Sequence, residues 1–240
     1  MSGHSKWATT KRRKAAVDAK KGAVFTKIAK LITIAARGGG DPAANFSLRL
    51  AIDRAKAINM PKDNIERAIK RGTGQSGGAQ IEELIYEGIG PAKAQFIVKC
   101  LSDNKNRTAS EIRHLFSKHG GALGTVMWNF TQRGVIMIEQ ADINDKKLTG
   151  ENFELELIDA GAEDIQKEDQ GLTIYTAPPD LQKTKQFLES KNIKTESAEI
   201  EYAAKESIGL SADEKIQVEK FIEELENNED VSDYYTNANL

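Results

Sequence analysis

The 240-residue chain has a single cysteine, Cys100, so a disulfide framework cannot form within it. Cys100 lies in the apolar run AQFIVKC, in surroundings that would not lower its pKa, and it reads as a buried, inert thiol. Histidines are almost as scarce: His4, His114 and His119. His114 and His119 are five apart, not the four that place two ligands on one helical face, and no cysteine joins them, so no zinc site is expected. His119 suits a helix C-terminus, where positive charge is favoured. No stretch approaches the roughly 18 consecutive apolar residues of a membrane span. The chain also opens without an apolar signal core, so a cytosolic protein is expected.

Catalytic and nucleotide-binding signatures are missing too. There is no G-x-S-x-G, no GxxxxGK[ST] and no GxGxxG after a strand. The glycines of RGGGDP, from Arg37 to Pro42, have no preceding strand. The pairs Glu82-Glu83 and Glu163-Asp164 fall in charged runs and read as surface charge. Nothing assembles a nucleophile, a base and an orienting group, so a non-enzymatic protein with no cofactor and no metal is expected.

What is present is an uneven charge. Residues 1–75 carry 17 Lys/Arg against 5 Asp/Glu, a net of +12, while residues 76–240 carry 17 against 31, a net of −14. A domain so basic attracts polyanions. The boundary coincides with a linker, GTGQSGGAQ (72–80), whose four glycines hold neither helix nor strand.

Before the linker the spacing is helical. Thr9 to Lys20 is rich in Ala and Lys with few apolar anchors, and is expected to order on binding. Val24 to Arg37 puts Val24, Ile28, Leu31, Ile32 and Ala35 on one face, with Lys27 and Lys30 off it. GGGDP stops that helix, and Pro42 is placed early in the next, whose stripe is Leu48, Ile52, Ala55 and Ile58. Met60-Pro61 breaks the run, and Lys62 to Arg71 forms a short third helix.

After the linker the pattern turns to α/β. LIYEGIG and AQFIVKCLS read as strands around Gly90-Pro91. Thr108 and Glu111 form a capping box for a helix carrying Ile112, Leu115, Phe116 and His119, and TVMWNF reads as a third strand. Residues 134–204 then follow the order β-α-β-β-α-β of a ferredoxin-like unit. Ser211 and Glu214 form a second capping box, and DVSDYYTNA a last strand. The expected class is α+β: a helical bundle (1–75), a discontinuous α/β domain (76–133 with 205–240), and an inserted acidic ferredoxin-like domain (134–204).

Lysine and arginine neutralise phosphates and release counterions. The candidate nucleic-acid contacts are His4, Lys6, Trp7, Lys11, Arg12, Arg13, Lys14, Lys20, Lys21 and Lys27, with a second cluster at Lys62, Arg67, Lys70 and Arg71. Trp7 either stacks on an unpaired base or pins the basic arm to the bundle. The cations are spread over the domain, with few Asn or Gln placed to read bases, which favours backbone or structured-RNA contacts. The inserted unit has only Tyr175 where stacking aromatics would be wanted, and a net of −8 from 8 Lys/Arg and 16 Asp/Glu over 131–204, so it reads as a spacer or protein-contact domain.

The stretches GHSKW, RRKAAVDAKKGAVFTK, GGGDPAANFSLRLAIDRAKAINMPKDNIERAIKRGTG and DNKNRTASEIRHLFSKHGG resemble the YebC/PmpR family, which includes the mitochondrial translational activator of cytochrome c oxidase subunit one. The resemblance runs over nearly the whole chain. It implies a helical first domain and two α/β domains, one interrupted by the other. Bacterial members are described as DNA-binding transcriptional regulators, and members are also described as translation factors that relieve ribosome stalls at proline runs. The implied protein is a monomeric, cytoplasmic regulator bound to rRNA and the ribosome, with DNA as the alternative target and a protein-interaction scaffold as a third reading. Contacts with ribosomal or other proteins would fall to its acidic domains. The chain departs from the family pattern at Thr9-Thr10, at Ala92-Lys93-Ala94-Gln95, where a glycine-rich turn is usual, and in the short connection GALGTVMWNF.

Overall fold

Three apolar stripes close into one small core near the start of the described chain. The structure is a computed structural model and describes residues 21–77, 80–145 and 151–240. Helix α1 (Lys21–Ala35) runs into a 3-10 turn (Ala36–Gly38), α2 spans Phe46–Ala57, and α3 spans Lys62–Gly72. Ile32, Leu48, Ala55 and Ile65 are buried together, with Met60 between the second and third helices. Each aliphatic side chain so buried contributes about 1.5–3 kcal/mol.

Pro42 does not enter α2. The helix begins at Phe46 because Asn45 caps it: Asn45 Oδ1 accepts from Leu48 N at 3.0 Å, and Nδ2 donates to the carbonyls of Ala35 and Gly39, both at 2.8 Å. One amide thus satisfies groups at the end of one helix and the start of the next. Asp41 to Ala44 forms a turn instead, with Asp41 Oδ1 accepting from Ala43 N at 2.9 Å.

The chain divides into two compact units. Among the described residues, 21–77, 80–130 and 204–240 belong to one and 131–145 with 151–203 to the other. In the first unit the three helices are joined by a four-stranded sheet. Its strands are β1 (Glu82–Ile89), β2 (Gln95–Ser102), β3 (Ala122–Leu123) and β9 (Val231–Thr236), in the order β3-β1-β2-β9. β1 and β2 pair antiparallel from Glu82↔Ser102 to Ile89↔Gln95, and β9 pairs antiparallel with β2 from the far end of the chain. Two short strands, β8 (Ile208–Gly209) and β10 (Ala238–Asn239), pair parallel beside it. Helices α4 (Lys105–Lys118) and α8 (Ala212–Asn227) pack on the four-stranded sheet. At the centre Phe96, Phe116 and Phe221 meet edge to face, with centroids 4.9 to 6.3 Å apart, an arrangement worth about 0.5–1.5 kcal/mol per pair beyond area burial. A Cβ on Gly88 would strike the Phe116 ring, so only glycine allows this approach. Cys100 is fully buried in the same core, and burial pushes its thiol up to about 12.

Three sequence expectations are corrected or sharpened here. The capping box at Thr108 is absent: α4 begins four residues earlier, capped by Asn104, whose Oδ1 accepts from Arg107 N at 3.1 Å. Thr108 is instead fully buried in the first turn and donates to Asp230 Oδ2 at 2.8 Å. TVMWNF is not a strand: residues Met127–Asn129 form a 3-10 turn, because Glu87 Oε2 takes the Val126 and Met127 amides at 2.8 and 2.7 Å. The box at Ser211 and Glu214 is present in both directions. In the turn between β1 and β2, Ala92 and Lys93 both have positive φ, 53° and 61°.

The second unit is ferredoxin-like. β4 (Phe130–Glu139), which starts at the boundary, is followed by α5 (Gln140–Asp145), α6 (Glu151–Asp159), β5 (Ala162–Glu168), β6 (Gly171–Thr176), α7 (Leu181–Ser190) and β7 (Ser197–Ala204). The sheet order β5-β6-β4-β7 is the 2-3-1-4 order of that fold. Pairs Gly134↔Thr176, Ile136↔Ile174 and Ile138↔Leu172 alternate onto the face that Leu181 of α7 covers. The buried Thr184 Oγ1 donates to Ala160 O at 3.0 Å and ties α7 to the end of α6. The class is therefore α+β, a helical bundle with two small α/β parts, one of them ferredoxin-like.

Candidate nucleic-acid interface

α3 turns Ile65 and Ala68 inward and leaves Lys62, Arg67, Lys70 and Arg71 exposed. Spacing dictates this: apolar residues three apart share the inner face, and the cations fall on the outer one. Lys62 lies 3.6 Å from Glu66, an exposed pair worth little, and Arg67 donates to Asp63 O at 3.3 Å and to Asn64 Oδ1. Lys70 and Arg71 sit in the last turn, where the helix dipole favours positive charge.

Two adjoining clefts flank α3. One, of about 350 Å³, runs between α1 and α3 and is lined by Phe25, Lys30, Thr33, Asn64, Arg67 and Arg71. The other, of about 340 Å³, lies at the C-terminal end of α3, where Arg37, Arg71, Gly74 and Ser76 meet Thr33. Gly72 makes this junction: a Cβ there would run into the Thr33 carbonyl and the Ala36 side chain. Arg67, Arg71, threonine and asparagine line a groove that offers charge and hydrogen-bond donors to phosphate oxygens.

Lys27 does not join that groove. Its ammonium donates to the carbonyl of Glu226 at 2.6 Å, in the last turn of α8. α8 has no basic residue of its own in that turn, so Lys27 of α1 supplies the positive charge its C-terminus favours. Burial outweighs the attraction of Glu226 and Asp233 and lowers the Lys27 pKa to about 8. Lys27 is thus hydrogen-bonded within the protein.

Further cations of the helical part turn the same way, and sequence reasoning missed their partners. Lys30 Nζ lies 2.8 Å from Asp230 Oδ1 and donates to Glu229 O at 3.2 Å; Arg54 lies 3.1 Å from Asp233; Arg37 donates to Ile81 O. The available signal was Lys30 lying off the apolar face of α1, which says that it does not enter the bundle core but not what it meets. His4, Lys6, Trp7, Lys11, Arg12, Arg13, Lys14 and Lys20 lie outside the described residues, and Lys21 is described only as the first residue of α1. His119 is the C-cap of α4. Among the described residues no group of His, Cys, Asp and Glu could hold a metal, and no helix is long and apolar enough to cross a membrane.

Comparison with known proteins bears on both parts of the chain. Residues 5–75 match the model of the TACO1/YebC protein N-terminal domain, and residues 81–238 that of the TACO1/YebC second and third domain. A probable transcriptional regulatory protein of Caldanaerobacter subterraneus subsp. tengcongensis is 48% identical over 244 residues, covering 100% of this chain and 99% of its own. One from Syntrophus aciditrophicus is also 48% identical, over 100% and 96% of the two chains. The crystal structure of a conserved hypothetical protein from Aquifex aeolicus superposes with a TM-score of 0.80 at 39% identity, covering 92% of this chain and 91% of that one.

Proposed function

This chain belongs to the TACO1/YebC family, and from that premise we propose that it is a non-enzymatic, nucleic-acid-binding regulator of gene expression that acts in the cytoplasm on the ribosome and its rRNA and relieves stalling at sequences such as proline runs. The observation that carries the reading is the charge division, +12 over residues 1–75 against −14 over residues 76–240. A helical part so basic is drawn into a polyanion, while the acidic remainder is held off it or meets basic proteins. The outward cations of α3 and the groove beside them support a contact with phosphates.

In this reading the contacts are His4, Lys6, Trp7, Lys11, Arg12, Arg13, Lys14, Lys20 and Lys21 with Lys62, Arg67, Lys70 and Arg71. The chain works as a monomer in three parts: 1–75, 76–133 with 205–240, and the insert 134–204. The scattered cations favour structured RNA over base-specific reading. A DNA-binding transcriptional regulator is the second reading, favoured by the names its relatives carry.

Sedimentation of the tagged protein with cell lysate through a sucrose gradient, with and without nuclease, separates the two. Co-migration with ribosomal particles that nuclease abolishes is the expected result. Retention at the top of the gradient, together with a shift of promoter DNA, would replace the ribosomal reading with the transcriptional one.

A further inference from the structure

The cleft between α1 and α3 has two unlike walls. Phe25 and Ala29 line it from α1, and Asn64, Arg67, Ala68 and Arg71 line it from α3. Side chains as small as Ala29 and Ala68 leave room between two packed helices. The helices are also pinned together there, since Thr33 Oγ1 lies 2.8 Å from Ala29 O and 3.3 Å from Ala68 O. The cleft is therefore built into the packing of the bundle.

Its charge is confined to one wall. Lys30 lines the cleft from α1, but its ammonium is held by Asp230 Oδ1 and Glu229 O. The α1 wall thus presents a half-buried ring beside a methyl group, which suits a flat aromatic face better than a phosphate. On the α3 wall, Arg67 Nε donates to Asp63 O at 3.3 Å and Nη2 donates to Asn64 Oδ1. A guanidinium has five N–H groups, so these two bonds orient Arg67 without exhausting it. With Oδ1 engaged, the Asn64 amide offers Nδ2 as a donor. Among the described residues no carboxylate lines the cleft.

Size and continuity narrow the ligand. A volume of about 350 Å³ is at the lower end for ligand clefts, roughly 300–1,000 Å³, and has room for one base with its sugar. A paired base is shielded within its helix, whereas an unpaired one can be splayed out and stacked on an aromatic ring. The neighbouring cleft shares Thr33 and Arg71 with this one and continues to Gly74 and Ser76. A ligand filling the first is led past Arg71 into the second, as a strand is and a free nucleotide is not.

On the reading that the helical part binds RNA, we propose that the α1–α3 cleft takes one unpaired nucleotide of the bound strand. Its base stacks on Phe25, the Asn64 amide donates to an acceptor on the base edge, and Arg67 and Arg71 hold the flanking phosphates. The protein then selects bulged or looped RNA over continuous duplex, a choice that a basic surface alone does not make.

The test measures binding of the full chain to three RNA hairpins that differ at one stem position: an unpaired adenosine, an abasic residue in its place, or no extra residue. The adenosine hairpin is expected to bind about tenfold more tightly than either of the others, through one stacked base. Phe25→Leu keeps an apolar side chain against the bundle core. It should remove most of that advantage and leave the abasic hairpin's affinity unchanged. The slope of log affinity on log salt should also hold, because the ring neutralises no phosphate. Should Phe25→Leu unfold, Ala29→Leu, which fills the cleft, replaces it, with the same loss expected. Equal binding of the three hairpins would overturn the proposal and leave the nucleic-acid reading standing. So would an adenosine preference that the substitution does not alter, which would place the base elsewhere. If none of the hairpins binds, the proposal falls together with the RNA reading on which it rests.

Discussion

The ammonium of Lys30 in α1 lies 2.8 Å from Oδ1 of Asp230, a residue 200 positions away that immediately precedes β9. The other oxygen of Asp230 accepts from Arg107 and Thr108, both at 2.8 Å, and from Ser102 at 3.0 Å. A single carboxylate therefore joins the first helix, the end of β2, the start of α4 and the entry to β9. Lys30 also lines the groove between α1 and α3, so the groove and the α/β sheet share one side chain.

Burial alone would raise the pKa of Asp230. The hydrogen bonds from Lys30, Arg107 and Thr108 outweigh it and hold the carboxyl at about 2. The folded value lies below the unfolded one of about 3.9, so this contribution is present above pH 4 or so and is lost as pH falls toward about 2; its size is about 2 kcal/mol. Asp230→Asn removes one partner of a buried pair and is expected to cost about 3–5 kcal/mol at neutral pH. Urea unfolding of both proteins across pH 2 to 7 checks this: the gap should narrow in acid, and a constant gap would count against the assignment.

Lys27 has the opposite linkage. Its folded pKa of about 8 lies below the unfolded value of about 10.4, so the unfolded chain holds the extra proton between them. Its contribution is unfavourable and level below about pH 8, and eases as pH rises to about 10.4. A carbon-detected lysine titration should find one Cε resonance, missing in Lys27→Met, moving near pH 8 while other lysines move near 10.4. A Lys27 midpoint within the ordinary lysine range would sink this.

Reversing Lys62 and Lys70 to glutamate tests the outer face of α3. Both are exposed, and the Lys62–Glu66 pair adds little, so the unfolding midpoint should hold. Nucleic-acid affinity should fall, and the slope of log affinity on log salt should flatten by about 0.7–0.9 for each phosphate no longer neutralised. Lys27→Met, whose ammonium is spent on Glu226, should leave both affinity and slope unchanged. An equal weakening in the two variants would return Lys27 to the interface.

Ala92 and Lys93 stand in the left-handed region, φ 53° and 61°, where a side chain costs roughly 1–2 kcal/mol. Replacing either by glycine relieves strain but adds freedom to the unfolded chain, and the expected net gain is about 0.5–1 kcal/mol. Thermal unfolding of the two single variants measures it; a drop in midpoint at both positions would show that the side chains are held by contacts worth more than the strain.

Much of this protein was legible from spacing and composition, because those properties act locally. The face of α1 that carries Ile32, the stripe of α2 through Leu48, Ile52 and Ala55, the reciprocal box at Ser211 and Glu214, the β-α-β-β-α-β order of the insert and the exclusion of a disulfide all depend on neighbours within a few residues or on composition. The charge contrast at the glycine linker needs only counting. The start of α4 and the fate of TVMWNF depended on groups that spacing does not reveal. Asn104 caps earlier than the box at Thr108 because Thr108 is claimed by Asp230, more than a hundred positions on, and Glu87 folds 127–129 into a turn by taking two amides that a strand would have paired. Likewise a count of lysines assigns Lys27 to phosphates and says nothing of what Lys30 meets, while the fold brings Glu226 and Asp230 within bonding distance of them. The sequence by itself determined which elements form and where positive charge gathers, since periodicity and net charge are sums over local residues. Only the tertiary structure decided which charges stay outside, because an ammonium about 3 Å from a buried carboxylate or a helix-end carbonyl is no longer available to a ligand, and that distance is created by the folded chain alone.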